Sequence, residues 1–340
     1  MIVARAASAS LPDAAWRAEA ERRLAAHGLS RDAAIWEPLA EGGSDRAFWR
    51  VRAPAGGAWV VMRYSPAVRK ENALYAGIAG FLREAGLRVP ALLFHEAASG
   101  LLGLEDLGEI SLHRRFWEKG SDGPALDALY QDALDQAALL HARASAPTPT
   151  MPGFDAELYR WERRYFLENL VEKRIGLLLI GTRRKAIEAE GEALAEELCR
   201  LPRRLIHRDF QSQNLMVRGR KTWLIDFQGM RLGHPAYDLA SLLEDPYTDL
   251  GPTRRRMLLA RHLARHDADA ALAEGYLPAA VQRLMQALGA YGYLGAVLGK
   301  TAFLAHIPRA LARLDDALDG LPHMNSTREL VHELRGHSSS

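Results

Sequence analysis

The side chains best equipped for chemistry in this 340-residue sequence lie within residues 206–226. His207-Arg208-Asp209 is followed by Asn214, and after a short basic turn the chain reads Trp223-Leu224-Ile225-Asp226. Residues 215–217 and 222–225 are apolar, partly β-branched runs around Arg218-Gly219-Arg220-Lys221, the pattern of a hairpin with a glycine-containing turn. Asn214 enters the first strand and Asp226 leaves the second. Antiparallel partners face each other, so this spacing brings two oxygen ligands close enough to hold a hard cation. Asp209 lies on the loop that feeds the hairpin and can accept a proton from a hydroxyl beside that cation. A metal that spreads charge over phosphate oxygens and a carboxylate that orients the attacking hydroxyl are what phosphoryl transfer requires.

The elements that must position these groups can be read from periodicity and punctuation. Residues 13–27 form an amphipathic helix with Asp13 as N-cap and Gly28 as its stop. Residues 35–39, 47–52 and 59–64 are strand-like, and a helix is expected over 70–84. The turn Ala40-Glu41-Gly42-Gly43-Ser44-Asp45 could bring backbone N–H groups to phosphate oxygens, although an ordinary hairpin turn reads the same. Extended runs follow at 91–96 and from Leu101 to Leu104, the second ending in Glu105-Asp106-Leu107-Gly108. Beyond this point the sequence is mainly helical, with helices expected over 126–142, 159–180 and 185–201 and a capped helix beginning at Tyr237-Asp238. The fold class is α+β; the kinase resemblance carried by residues 207–228 implies a small antiparallel β-rich N-lobe over 1–107 and a larger, mainly helical C-lobe over 108–340, because Glu105-Asp106-Leu107-Gly108 resembles the segment that joins the two lobes of small-molecule kinases.

Composition narrows the field. Apolar residues make up 48% of the chain, enough to bury a substantial core, and the 44 basic residues are balanced by 42 acidic ones to a net charge of +2. Nothing in that balance favours a nucleic-acid partner. Cys199 is the only cysteine, which excludes an intrachain disulfide and a thiolate metal cluster and suits a reducing compartment. No apolar run approaches the roughly 20 residues of a membrane span, and residues 1–10 lack the apolar core of a secretion signal, so a cytoplasmic location is expected.

His207-Arg208-Asp209 with Asn214, and then Asp226-Phe227-Gln228, resemble the protein-kinase catalytic loop H-R-D-x-x-x-x-N and the D-F-G segment. The resemblance implies a bilobal protein-kinase-like fold, ATP as phosphoryl donor and Mg²⁺ held by Asn214 and Asp226, with Asp209 as the catalytic carboxylate. It implies that Gly43 and Ser44 cover the nucleotide phosphates. It also implies that Arg63, at the end of the third strand, stands where kinases carry a lysine paired with a glutamate, here Glu71. An unpartnered surface Arg and Glu is the alternative. Arginine is bulkier than lysine and prefers bidentate geometry, so the exchange is not silent. Backbone around Glu105 and Leu107 would read the adenine edge.

No long activation segment follows Asp226, which leaves no room for a platform that binds protein substrates. The aminoglycoside and choline phosphotransferase superfamily shares this feature, and there the aspartate matching Asp238 braces the catalytic loop. Most members read His-Gly-Asp-Leu-His-x-x-Asn. The wording His207-Arg208-Asp209-Phe210-Gln211-Ser212-Gln213-Asn214 resembles instead the branch of anomeric amino-sugar kinases of cell-wall recycling, as do Leu288-Gly289-Ala290-Tyr291 and Ile307-Pro308-Arg309. That resemblance implies a small-molecule sugar substrate, N-acetylmuramate or N-acetylglucosamine, phosphorylated on its 1-hydroxyl. Gln211, Gln228 and Arg231 are close enough in sequence to reach the acceptor, and an arginine suits a lactyl carboxylate. His207, in a buried loop, is structural. Two other functions remain open at this point: a kinase for aminoglycosides or other small alcohols, and an inactive nucleotide-binding regulator suggested by the missing lysine.

Overall fold

Asp13 opens the first helix. Its Oδ1 accepts from the Trp16 N–H at 2.9 Å and caps α1 (Ala14–Ala25). The computed structural model describes residues 13–28, 34–39, 46–54, 56–68, 70–118, 123–146, 148–266 and 270–338. Gly43 and Ser44 lie outside the described residues. Trp16, Ala20 and Leu24 recur at helical spacing on the buried face of α1. They pack on a sheet whose strands are β1 (Ile35–Pro38), β2 (Ala47–Arg52), β3 (Ala58–Arg63), β4 (Leu92–Glu96) and β5 (Leu101–Glu105). The strands are antiparallel throughout, in the order β1-β2-β3-β5-β4.

The two-residue period of a strand divides this sheet into two faces. Trp49 and Val51 of β2 join Trp59 and Val61 of β3 in the core under α1, with Trp36 of β1. The Trp16 ring lies 5.2 Å from that of Trp49 and 6.2 Å from that of Trp36. A 3-10 turn, Lys70–Leu74, leads into α2 (Tyr75–Glu84), so the helix expected over 70–84 begins as a tighter turn.

Residues 1–109, 147–150 and 223–228 form one compact unit, and residues 110–146, 151–222 and 229–340 form the other. Residues 223–228 join the first unit through contacts that the sequence does not advertise. The Leu224 N–H donates to the Arg88 carbonyl at 2.8 Å, and the Phe227 ring packs 4.7 Å from Tyr75.

The second unit contains α3 (Leu112–Trp117), α4 (Pro124–His141), α5 (Ala156–Phe166), α6 (Gly181–Arg200), β6 (Arg204–Ile206) and β7 (Leu215–Arg218). β8 (Lys221–Leu224) pairs with β7 through a turn in which Gly219 has φ 63°, the hairpin its spacing predicts. After β9 (Arg231–Gly233) the chain is helical: α7 (Ala236–Leu243), α8 (Pro252–Arg265), α9 (Ala270–Glu274), α10 (Tyr276–Gly292), α11 (Ile307–Asp319) and α12 (Asn325–Ser338). α10 is the hub, packing on α5, α7 and α11. The helix expected over 159–180 is shorter. α5 passes into π-helical turns at Leu167–Ile175 and stops at Gly176, whose φ of 81° is the left-handed cap that glycine favours. Leu178 and Ile180 beyond it are exposed.

Candidate active site

β6 and β9 pair antiparallel, Ile206 opposite Arg231, and the chain between them carries the loop that begins at His207. Asp238, buried in the first turn of α7, anchors that loop. Its Oδ2 accepts from the His207 N–H at 2.7 Å and its Oδ1 from the Arg208 N–H at 2.8 Å. His141 Nε2 lies 3.0 Å from the same carboxylate. Two consecutive N–H groups held by one carboxylate fix the Arg208 backbone at φ 77°. The His207 ring is buried and meets Phe210 edge-on at 5.7 Å. Further along, Ser212 N–H donates to Asp245 at 2.8 Å, and Asn214 Nδ2 donates to the Asp209 carbonyl at 2.9 Å. That last bond points the Asn214 carboxamide so that its oxygen remains an acceptor.

Asp209 is set among arginines. Arg208 Nη1 reaches its Oδ2 at 2.8 Å, and Arg283 Nη2 lies 4.0 Å from its Oδ1. Burial acts to raise its pKa, but the positive field of Arg208, then of Arg283, His207 and Arg231, outweighs burial and holds the carboxyl below the usual carboxylate range. Asp209 is therefore ionised at neutral pH and suited to orienting a hydroxyl more than to acting as a strong base. Arg283 also donates to Gln211 Oε1 at 3.1 Å and to Ser241 Oγ at 2.9 Å, which fixes Gln211 next to the same carboxylate.

Arg231 is buried, only 8% exposed, with its guanidinium 5.6 Å from the Phe154 ring centre and its Nε donating to Gly229 O at 3.1 Å. Desolvation, with Arg208 nearby, lowers its pKa. Among the described residues no carboxylate stands within ion-pair distance of it. A buried guanidinium without such a partner keeps donor capacity that an anionic group could take up.

In the first unit, Asp226 has φ 61° and accepts from Gln228 Nε2 at 2.6 Å. Gln228 is buried, which directs it to Asp226. The expected pairing of Arg63 with Glu71 is not formed. Strand alternation sends Arg63 to the α1 side of the sheet, where it pairs with Asp13 at 2.9 Å and lies over the Trp16 ring. Glu71 instead receives Arg46 Nη2 at 3.3 Å, and Arg46 Nη1 bonds to Asp226. Arg46 directly precedes β2, and only that position could have drawn attention to it.

The segment expected to read an adenine edge is braced by a second residue that sequence reasoning missed. Arg50, 4% exposed, donates to both oxygens of Asp106 at 2.6 and 3.1 Å, to Glu109 at 2.9 Å and to Gly108 O at 2.9 Å. Burial acts to raise the Asp106 pKa, but the Arg50 bonds and the Gly108 N–H bring it below the ordinary value. The Glu105 side chain accepts from the Ala91 N–H at 3.1 Å, so it ties β5 to the strand's neighbour and leaves recognition along 105–107 to backbone groups.

Asn214, in the second unit, carries a neutral carboxamide oxygen, and Asp226, in the first, carries anionic ones and already bonds the Arg46 guanidinium; these are donor types that Mg²⁺ takes. Among the described residues no group of three or more His, Cys, Asp or Glu is arranged to hold a metal. Such a cluster is unnecessary for an ion that takes most of its ligands from phosphate and water.

Residues 35–277 match the phosphotransferase enzyme family, APH, and the chain belongs to that family. It is a kinase of small molecules by that membership. It is 30% identical over 266 residues to a protein of Caulobacter vibrioides named N-acetylmuramate/N-acetylglucosamine kinase, covering 71% of this chain and 69% of that one. A protein of the same name from Pseudomonas aeruginosa is 27% identical over 310 residues, covering 86% and 87%. The solved structure of aminoglycoside phosphotransferase APH(2'')-Ib with ADP bound superposes with a TM-score of 0.59 at 15% identity, over 90% of this chain and 99% of that one. The kinase-like fold is thereby established. No described helix is long and apolar enough to cross a membrane.

Proposed function

We propose that this protein transfers the γ-phosphoryl group of ATP to the anomeric 1-hydroxyl of an amino sugar, N-acetylmuramate or N-acetylglucosamine. The observation that carries the reading is Asp209, a carboxylate kept ionised by Arg208 and Arg283 with Gln211 fixed beside it. The names of the two bacterial relatives support the substrate class.

In this reading the acceptor hydroxyl donates to Asp209, which orients its oxygen toward phosphorus. An anomeric hydroxyl is more acidic than other sugar hydroxyls, so a carboxylate of depressed pKa suffices, and positioning supplies most of the rate. Asn214 and Asp226 would hold Mg²⁺, whose contribution when bound is to neutralise charge on the phosphate oxygens. Asp238 keeps the loop in register. Arg231 and Gln211 face the acceptor, and the buried Arg231 guanidinium suits a lactyl carboxylate. Gln228 acts on the sugar only indirectly, through Asp226. Backbone groups at Glu105 and Leu107 take the adenine.

ADP release measured with N-acetylmuramate, N-acetylglucosamine and an aminoglycoside tests the substrate class. Turnover with either N-acetylated sugar and none with the aminoglycoside is expected, and the reverse order overturns the proposal. Arg231→Met should raise KM for N-acetylmuramate on the order of tenfold or more while leaving N-acetylglucosamine, which has no carboxylate, within about twofold. Equal losses on both sugars would remove Arg231 from carboxylate recognition.

A further inference from the structure

Two buried carboxylates reach the catalytic loop from α7 and the segment just beyond its end. Asp238, in the first turn, takes the His207 and Arg208 N–H groups. Asp245, seven residues and about two helical turns further on, takes the Ser212 N–H on Oδ2 at 2.8 Å. Its Oδ1 accepts from the Tyr247 N–H at 2.9 Å, so each oxygen of this carboxylate has a backbone donor. The segment that bears Asp245 is held in turn from α11, where the buried Arg313 guanidinium donates to the Asp245 carbonyl at 2.6 Å and to the Thr248 carbonyl at 2.7 Å. Ser212 opens a single 3-10 turn, Ser212–Asn214, closed by the Asn214 N–H on the Gln211 carbonyl at 2.9 Å. A helical turn cannot satisfy its own first N–H groups, and Asp245 accepts one of them.

We infer that Asp245 is a positioning residue for Asn214, holding the turn from which that carboxamide is presented to a divalent cation. The inference rests on the assignment of Asn214 as a metal ligand. The Asn214 side chain is oriented by its Nδ2 bond to the Asp209 carbonyl, but that bond leaves the backbone of the turn to be fixed from elsewhere. Asp245 fixes it from outside the loop, through an element braced by α11. Without that carboxylate the buried Ser212 N–H loses its acceptor, and the turn can relieve the loss only by shifting, which carries Asn214 with it. Asp238 thus secures the end of the loop that leads into Asp209, and Asp245 the end that carries Asn214.

Mn²⁺ binding at saturating ADP, followed by electron paramagnetic resonance, tests this in the full-length protein. Asp245→Asn keeps the shape of the side chain but offers one acceptor oxygen to two N–H donors. It should weaken Mn²⁺ binding about 10–100-fold, the usual cost of losing a support behind a metal ligand. Asn214→Ala should weaken binding as well, and adding Asp245→Asn to it should change the affinity by less than about twofold more, because both act through one ligand. A residue that served the fold alone would lower Tm and leave Mn²⁺ affinity unmoved, or would add its loss in full to that of Asn214→Ala; either result overturns the inference. Ser212→Pro tests the same bond from the loop side with Asp245 intact. Proline lacks the N–H and is tolerated at the first position of a helical turn, and Gln211 before it is already extended, with φ −102° and ψ 161°. This variant should also bind Mn²⁺ more weakly, and parental affinity in a folded Ser212→Pro protein contradicts the proposal. If Asn214→Ala leaves Mn²⁺ binding unchanged, the ligand assignment fails and the inference falls with it. If Asn214→Ala weakens binding while Asp245→Asn does not, the assignment stands and the positioning role is wrong.

Discussion

Arg208 and Asp226 are the two non-glycine residues with positive φ among those described, at 77° and 61°, and both belong to the chemistry-bearing stretch. An L-residue there costs about 1–2 kcal/mol, a strain that persists only where neighbours over-determine it. For Arg208 the neighbour is Asp238, which takes two consecutive N–H groups. The strain also explains why the superfamily wording His-Gly-Asp has glycine at the position of Arg208. Arg208→Gly should relax the backbone but strip Asp209 of its nearest counter-charge. Because the folded pKa of Asp209 lies below its unfolded value, its charged form adds stability that is present above the unfolded pKa and lost as pH falls through the folded one. The acid limb of kcat/KM should accordingly move to higher pH in Arg208→Gly, and again in Arg283→Met; pH–rate profiles superimposable on the parent would refute the electrostatic assignment. Asp209→Asn should lower kcat about 10²–10⁴-fold with little change in nucleotide affinity. Asp209, Asn214 and Asp226 stand out in the sequence because their spacing is a chemical pattern. Arg46 and Arg50 do not, since single arginines near a strand carry no periodic signal and acquire meaning only from the carboxylates they meet.

At the scale of elements, the alternation of a strand explains why Arg63 meets Asp13 and not Glu71. Residues 59–64 read correctly as a strand, but its order of side chains puts Arg63 with Trp59 and Val61 on the α1 face. A count of residues from the neighbouring turn could not reveal which face α1 would cover. The π-helical turns at Leu167–Ile175 were illegible for a related reason: their apolar spacing reads as plain helix, and the extra residue per turn comes from packing against α10. Gly289 and Gly292 make that packing possible. A Cβ on Gly289 would stand 2.8 Å from the Phe166 backbone nitrogen, and one on Gly292 would stand 2.6 Å from the Asn169 carbonyl oxygen. Gly292→Ala should therefore lower Tm by about 1–4 °C, since about 2.1 cal/mol/K per residue makes 1 kcal/mol worth about 1.4 °C in a chain of 340 residues and overpacking costs about 1–3 kcal/mol. An unchanged melting curve would mean that α10 can move away without penalty. Arg50→Ala leaves the Asp106 carboxylate without its bidentate partner and should cost about 3–5 kcal/mol, read as a loss of Tm together with weaker ADP binding.

For the molecule as a whole, the antiparallel sheet and the helical second unit give the kinase-like fold, and membership of the phosphotransferase enzyme family makes the chain a small-molecule kinase. Fold class and reaction type were readable because an ordered set of motifs fixes both. Acceptor identity was not, because an acceptor is chosen by side chains brought together from distant parts of the sequence, and contacts such as Arg231 over Phe154 and Arg283 on Gln211 carry no local signal. Regiochemistry tests the proposed acceptor position itself. The most direct test is a phosphorus-31 NMR spectrum, with proton coupling, of the product formed from ATP, Mg²⁺ and N-acetylmuramate. A phosphorus resonance coupled to the anomeric proton, the signature of a sugar 1-phosphate, is predicted; a 6-phosphate, or no phosphorylated sugar at all, would contradict it.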